Sequence, residues 1–266
     1  MIKLIALDLD GTLLDPAGAI TQGAKDAIAA ARAAGIRVVL NTGRPIPEAI
    51  HFARLAGCDG YLSCLGGAAL VDSESGQVLR RHDIPEPSGT RALELCLGRE
   101  IELMIFAGNE ILVDPFSRAS LRRTYPFPAF HDNAVDCGDP LAYMAQHGLP
   151  LTKIHGDYNP GRYPLEELAA LPGLQLTRSN ERDFELVPAG VDKGKALAEL
   201  AALYGLTLAD CAAVGDSDND MAMLRAARLP VAMGNAPQAV KAAARLVVDT
   251  NAREGVAQAI RACMAE

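Results

Sequence analysis

Residues 4 to 14 read Leu-Ile-Ala-Leu-Asp-Leu-Asp-Gly-Thr-Leu-Leu, an apolar run that stops at two carboxylates spaced by one residue and then meets a glycine. A run this short, bounded by a turn, is a strand buried on both faces rather than a helix of ordinary length. Asp8 and Asp10 then stand at its carboxyl end. Ionised carboxylates beside a buried core are costly unless a cation or hydrogen-bond donors accompany them. The pair either caps the strand and turns the chain, or it holds a metal.

The chain beyond repeats this grammar. Thr21 is an N-cap for an alanine-rich helix to about Ala34, closed by Gly35, and Ile36 to Leu40 is the next strand, ending in Asn41-Thr42-Gly43-Arg44. Pro45 and Pro47 open a helix to about Ala56, and Tyr61 to Cys64 is a third short strand. Helices alternating with short apolar strands predict a parallel sheet with crossover helices. The rhythm then changes. Ala68 to Val71 and Gln77 to Arg81 read as a hairpin, Pro85 and Pro87 as a linker, Ser88 as the cap of a helix to about Gly98, and Ile101 to Phe106 pairs with Ile111 to Asp114. A helix is expected near Phe116 to Arg123 and another from about Pro164 to Leu171, with strands at Leu151 to His155, Leu174 to Thr177 and Phe184 to Val187. Most of 115–150 is otherwise unreadable. From Pro188 the first rhythm returns, with helices from about Lys193, Met221, Pro237 and Arg253 and strands at Cys211 to Val214, Leu229 to Met233 and Leu246 to Val248. The order predicts an α/β core, residues 1–82 and 188–266, interrupted by an inserted α+β domain, 83–187.

Charge and cysteines narrow the class. A formal charge of -8 argues against nucleic acid or an anionic membrane as partner, although a local site can still oppose the global sign and take a phosphate-bearing small molecule. The six cysteines show no Cys-x-x-Cys spacing and read as scattered reduced thiols. The N-terminal apolar run is broken by Asp8 and fits neither a secretory signal nor a membrane span, so a cytoplasmic protein is expected. Nothing in the sequence sets an oligomeric state, and a monomer is compatible with it.

The strand Cys211 to Val214 runs into Gly-Asp-Ser-Asp-Asn-Asp, residues 215–220, a second acidic cluster at a strand's carboxyl end. That edge is where open parallel sheets bind ligands. Carboxylates without His or Cys at ligand spacing select a hard, oxygen-preferring ion, and Mg2+ is the usual choice where phosphate is also held. Lys193, opening a helix, supplies the positive charge such a site needs, with Lys195 as its competitor. Singly, Thr42 also reads as a strand-end turn residue, Lys193 as a solvated lysine and Asn219 as a helix cap. Asp218 reads as a solvated loop residue, and His131, Asp132, Asp136 and Asp139 as a polar loop rather than a metal site.

Asp8-Leu9-Asp10-Gly11-Thr12-Leu13, Thr42-Gly43-Arg44, Lys193-Gly194 and Gly215-Asp216-x-x-Asn219-Asp220 resemble, in order, the four motifs of the haloacid dehalogenase superfamily. Phe184 to Pro188, Val231 to Ala236 and Glu254 to Ala257 extend the likeness to the Cof-like phosphatases with a type IIB cap. The resemblance implies a Rossmann-like core with an inserted cap, Mg2+ as cofactor, and a small phosphate monoester as substrate, most of all a sugar phosphate. It implies Asp8 as nucleophile, forming an aspartyl phosphate, and Asp10 as acid and base, a role suited to a carboxyl two residues along the strand on the same face. Asp8, Asp216 and the main-chain carbonyl of Asp10 would hold Mg2+, with Asp220 outside them orienting its water. Thr42, the Gly43 amide, Lys193 and Asn219 would hold the phosphoryl oxygens. Arg44 would either reach the substrate's leaving group or pair with a core carboxylate. One departure stands out: close relatives read Asn-Gly-Ala after the third strand, and this chain has Gly66-Gly67-Ala68.

Other readings differ at testable points. A phosphomutase of the same fold would return the phosphoryl group to sugar, and a phosphatase could instead prefer pyridoxal phosphate or flavin mononucleotide. A receiver-like signalling domain would be much shorter. A silent binding protein would not need every reacting group, and a glycosyltransferase using its Asp-x-Asp would need a nucleotide-binding element.

Overall fold

The computed structural model describes residues 1–158, 165–178 and 182–266. They divide into two compact units, Met1–Arg80 with Asp192–Glu266, and Arg81–Val191. In chain order the first unit begins with β1 (Leu4–Leu7), α1 (Gln22–Ala33), β2 (Arg37–Leu40), α2 (Ile46–Ala56), β3 (Tyr61–Cys64), β4 (Ala69–Asp72) and β5 (Val78–Arg81). The second unit carries α3 (Ser88–Cys96), β6 (Glu102–Ala107), β7 (Glu110–Val113), α4 (Pro115–Thr124), α5 (Pro128–Asn133), β8 (Ala134–Asp136), α6 (Pro140–His147), β9 (Leu151–Asp157), α7 (Leu165–Ala169), β10 (Leu174–Thr177) and β11 (Asp183–Pro188). The chain then completes the first unit with α8 (Lys193–Leu203), β12 (Cys211–Gly215), α9 (Met221–Ala226), β13 (Leu229–Ala232), α10 (Gln238–Ala243), β14 (Leu246–Val247) and α11 (Gly255–Met264).

Five parallel strands in the order β14-β13-β12-β1-β2 make the core sheet. All four residues of β1 are fully buried, because both faces of the sheet are covered. Leu4 and Ala6 pack with Leu197, Leu200 and Ala201 of α8 and with Met223 and Leu224 of α9, while α1 packs against α11 and β2. Each fully buried Leu or Ile contributes about 1.5–3 kcal/mol relative to exposure. Leu7 stands opposite both Leu40 and Val214, and Gly215 opposite Ala232. This register delivers Asp8, Asn41-Thr42, Asp216 and Met233-Gly234-Asn235 to one edge of the sheet.

Two expectations need correction here. The opening strand ends at Leu7, and residues 9–13 form a tight turn closed by the Leu14 amide donating to the Leu9 carbonyl at 2.9 Å. Gly11 makes that turn possible with φ +78°. Asp10 is therefore on the turn, not two residues along a strand beside Asp8. The strand β3 pairs antiparallel with β4 in a separate three-stranded sheet, and meets β2 through a single parallel bridge, Asn41 to Ser63.

The inserted unit is built on a six-stranded sheet, β10-β11-β9-β6-β7-β8, antiparallel except for β7 and β8. One face carries Leu103, Ile105, Ile154, Phe184 and Leu186 against Ala92, Leu93 and Cys96 of α3, Met144 of α6 and Leu168 of α7. The adjacent residues of the alternating pattern bring Lys153 to Glu185 at 2.6 Å, and His155 to the same carboxylate at 3.6 Å. Ser88 does not cap α3: it is the first helical residue, with Pro87 before it. Residues 115–150 contain α5, β8 and α6 besides the expected α4. The caps of α4 and α6 are Asp114, accepting from the Ser117 amide at 2.7 Å, and Asp139, accepting from the Ala142 amide at 3.1 Å. His131 and Asp136 both engage Arg118, whereas Asp139 is taken up by the α6 cap. The expected start of α7 at Pro164 lies outside the described residues. All six cysteines are free, and among the described residues no helix is long and apolar enough to cross a membrane.

Candidate active site

Asp8 follows β1 directly. Its amide still donates to the Val214 carbonyl at 3.0 Å, so the carboxylate is fixed by the end of the sheet ladder and is almost wholly buried. Lys193, the first residue of α8, is 1% exposed, and its Nζ donates to Oδ1 of Asp8 at 2.6 Å, to Oδ1 of Asp220 at 2.6 Å and to Oδ1 of Asn219 at 3.0 Å. Asn41, at the end of β2, donates its side-chain amide to the Lys193 carbonyl at 2.8 Å and so ties the start of α8 to the sheet. Lys195 is exposed, and its backbone amide is taken up by the Asp192 cap. Burial works against the Lys193 charge, yet Asp220 and Asp8 outweigh it and raise its pKa, so it stays an ammonium.

The acidic loop after β12 folds on itself. Oδ2 of Asp220 accepts from the amides of Asp216 at 2.9 Å and Ser217 at 3.0 Å, while its Oδ1 takes Lys193. Asp220 thus organises the loop with both oxygens engaged. Asp216 is held by two residues the motif reading did not single out: Thr12 donates to its Oδ1 at 2.7 Å and Asn235 to its Oδ2 at 3.3 Å. Asn235 also donates to the Gly11 carbonyl at 2.8 Å and accepts from the Asn251 amide at 3.1 Å, joining the turn after β1 to the loop after β13. Both residues stood within the quoted motifs as polar side chains beside strand ends, which was the available signal. Asp218 is exposed.

Asp8, Asp216 and Asp220 each offer an oxygen within 4.8 Å of one another. Burial, reinforced by Asp220, pushes the Asp8 carboxyl well above the usual range against the pull of Lys193. Burial also pushes Asp216 up to about 6 against the Thr12 hydrogen bond. Three carboxylates around one lysine leave excess negative charge that a hard cation would neutralise. The all-oxygen donor set fits Mg2+.

Thr42 is buried at the end of β2, its amide donating to Ser63 and its hydroxyl accepting from the Arg44 amide at 3.1 Å. Gly66 sits behind this turn, its amide donating to the Thr42 carbonyl at 3.1 Å, with φ +72°. That left-handed conformation suits Gly and Asn above other residues. Gly43 lies in the same turn. Asp10 has turned elsewhere: its carboxylate is half exposed and accepts a forked pair from Arg44, Nε to Oδ2 at 2.8 Å and Nη2 to Oδ1 at 2.6 Å. Its carboxylate is not among the three converging oxygens.

A parallel α/β sheet interrupted by an α+β insertion carries buried aspartates and a lysine at its carboxyl edge, a charge arrangement suited to phosphoryl transfer. The profile of the haloacid dehalogenase-like hydrolase family matches residues 5–260. The chain is 31% identical over 260 residues to the 5-amino-6-(5-phospho-D-ribitylamino)uracil phosphatase YcsE of Bacillus subtilis strain 168, covering 98% of this chain and 95% of that protein. It is likewise 31% identical over 274 residues to the pyridoxal phosphate phosphatase YbhA of Escherichia coli K12, covering 97% of each. The subclass IIB sugar phosphatase BT4131 shares the fold, with a TM-score of 0.83 over 98% of both chains at 22% identity. The chain belongs to the haloacid dehalogenase-like hydrolase family, among its Cof-like phosphatases, and is a phosphoric monoester hydrolase.

Proposed function

We propose that this enzyme is a Mg2+-dependent phosphatase of small phosphate monoesters, sugar phosphates foremost, working through an aspartyl phosphate on Asp8. The observation that carries the reading is the buried Asp8 carboxylate held 2.6 Å from the Lys193 ammonium, at the edge shared with Asp216. Asp8 attacks phosphorus as the bond from phosphorus to the ester oxygen breaks, and Asp10 gives that oxygen its proton. Water then attacks the phosphoryl group, Asp10 takes the water's proton, and the Asp8 carboxylate is released with inorganic phosphate. The Thr42 hydroxyl and the Gly43 amide hold the phosphoryl oxygens, and the Lys193 ammonium, its three N–H groups engaged by Asp8, Asp220 and Asn219, offsets their charge. Asn219 joins them through its NH2, since its Oδ1 already accepts from Lys193 and from the Ser217 hydroxyl at 2.9 Å. Asp8, Asp216 and the Asp10 carbonyl would hold Mg2+, with Asp220 bracing them from outside. When bound, the cation offsets the repulsion between the Asp8 carboxylate and the phosphate dianion.

The sugar-phosphate preference is supported by the relative that acts on a phospho-D-ribityl compound, while the relative acting on pyridoxal phosphate keeps that ester as the second candidate. Asp8→Asn should abolish turnover of p-nitrophenyl phosphate while the far-UV circular dichroism and Tm stay native. Retained turnover would refute the mechanism. Comparison of kcat/KM across sugar phosphates, pyridoxal phosphate and flavin mononucleotide ranks the substrates, and phosphate release without sugar-phosphate isomer formation separates hydrolysis from mutase action.

A further inference from the structure

We infer that Arg44, braced by Glu48, is a positioning residue that sets the direction of the Asp10 carboxylate; the inference rests on the assignment of Asp10 as proton carrier above. Asp10 is the exposed residue of an otherwise largely buried turn, beside a glycine, and its side chain is 51% exposed. A short side chain there has several rotamers open to it, whereas proton transfer needs the carboxyl held within hydrogen-bond reach of the reacting oxygen. The fork from Arg44 removes that freedom. Its Nε and Nη2 meet the two oxygens of Asp10 at 2.8 and 2.6 Å, which fixes both the position and the plane of the carboxylate.

Arg44 is itself held from two sides. Its amide donates to the Thr42 hydroxyl and its carbonyl accepts from the Leu65 amide at 3.0 Å, so its backbone belongs to the Thr42 turn. Its third guanidinium nitrogen, Nη1, donates at 2.6 Å to Oε2 of Glu48 in the first turn of α2. Glu48 has no exposed side-chain surface. An ionised carboxylate in such a place is costly without a paired charge, and Arg44 supplies that charge. The buried Glu48 in turn keeps the long Arg44 side chain from swinging into solvent. Glu48, Arg44 and Asp10 therefore form a chain that starts in the core and ends on the turn after β1. In the two half-reactions the proton passes from Asp10 to the ester oxygen and later from water to Asp10; Arg44 neither gives nor takes one.

The test is a double-mutant cycle on kcat and KM with p-nitrophenyl phosphate, using Asp10→Asn, Arg44→Met and the double variant, each checked for native Tm. Arg44→Met should lower kcat about 10²-fold, the scale of a misplaced catalytic group, with KM unchanged. In the Asp10→Asn background it should cause no further loss. A raised KM with kcat kept, or losses that multiply in the double variant, would place Arg44 on the substrate and overturn the inference. Asp10→Asn with wild-type kcat would overturn the proton-carrier reading itself, which distinguishes the two failures. Should Arg44→Met not fold, Glu48→Gln takes its place in the same cycle: a kcat loss that vanishes in Asp10→Asn supports the chain, and a loss that persists there overturns it.

Discussion

The Nζ of Lys193 lies 2.6 Å from Oδ1 of Asp8, both groups almost wholly buried, across a sequence separation of 185 residues. One lysine here balances Asp8 and Asp220 together. Lys193→Met should leave two buried carboxylates without their cation, destabilising the metal-free protein by about 3–5 kcal/mol. Urea unfolding in EDTA measures this. Turnover should fall by about 10²–10³-fold, as for loss of a charge-stabilising donor. Near-native stability of the variant in EDTA would show that the pair contributes little to the fold.

Metal removal should be equally direct. Dialysis against EDTA should stop turnover, Mg2+ should restore it and raise Tm, and Asp216→Ala should abolish the Mg2+-induced rise. Burial raises the Asp216 pKa from 3.8 to about 6, so protons compete with the cation and the Tm rise should shrink as pH falls below about 6. In the metal-free protein the sign is opposite. A raised folded-state pKa means that wild type gains stability over Asp216→Asn as pH falls through that same window, because the neutral acid no longer opposes burial. Differential scanning fluorimetry from pH 5 to 8 reads both trends.

Gly11 and Gly18 share φ +78°, but of the two only Gly11 faces a neighbour: a Cβ there would collide with the Asp216 carboxylate, whereas at Gly18 nothing lies within 4 Å. Each Ala variant should cost about 1–2 kcal/mol for the left-handed backbone. Only Gly11→Ala should also lose activity, by displacing Asp216. Equal kcat in the two variants would show that Asp216 tolerates the shift.

In the inserted unit, Glu185 is 17% exposed and Lys153 2% exposed. Burial works to raise the Glu185 pKa, but Lys153 and His155 outweigh it and hold the carboxyl far below its ordinary value of 4.5. A depressed pKa contributes stability that is fully present above about pH 5 and is lost as pH falls below 4.5. Glu185→Gln should therefore lower Tm most at pH 7, with the gap to wild type narrowing toward pH 3. A gap independent of pH would mean that packing rather than charge holds this pair.

The parts of this molecule that could be read from its sequence share a physical cause. Apolar runs of four or five residues alternating with helices are satisfied by burial on both faces of a parallel sheet. Parallel strands in register necessarily send their carboxyl ends to one edge, so Asp8, Thr42 and Asp216 could be assigned to that edge before any contact was seen. The cap at Thr21 is a local hydrogen bond and equally legible. Residues 115–150 were not, because α5 and α6 are only six and eight residues long and β8 only three, too short for a periodic pattern. The Asp139 cap of α6 and Gly148 just past its end were the signals present.

What the chain alone determined was therefore the α/β core, its insertion, and which clusters of polar residues share the reactive edge. Tertiary structure decided what each polar residue does there. It buried Lys193 and exposed Lys195, two positions apart in the first turn of α8, because two residues rotate a helix by about 200° and carry Lys195 to the face away from Asp8 and Asp220. It separated Asp8 from Asp10 by ending the strand at Leu7, giving one to Lys193 and the other to Arg44. It placed Thr12 and Asn235 on the two oxygens of Asp216. Such pairings join distant residues, Thr12 to Asp216 across 204 positions and Asn235 to Gly11 across 224. Periodicity and local propensity act over a few residues, and the distances that select one partner over another exist only once the sheet has closed.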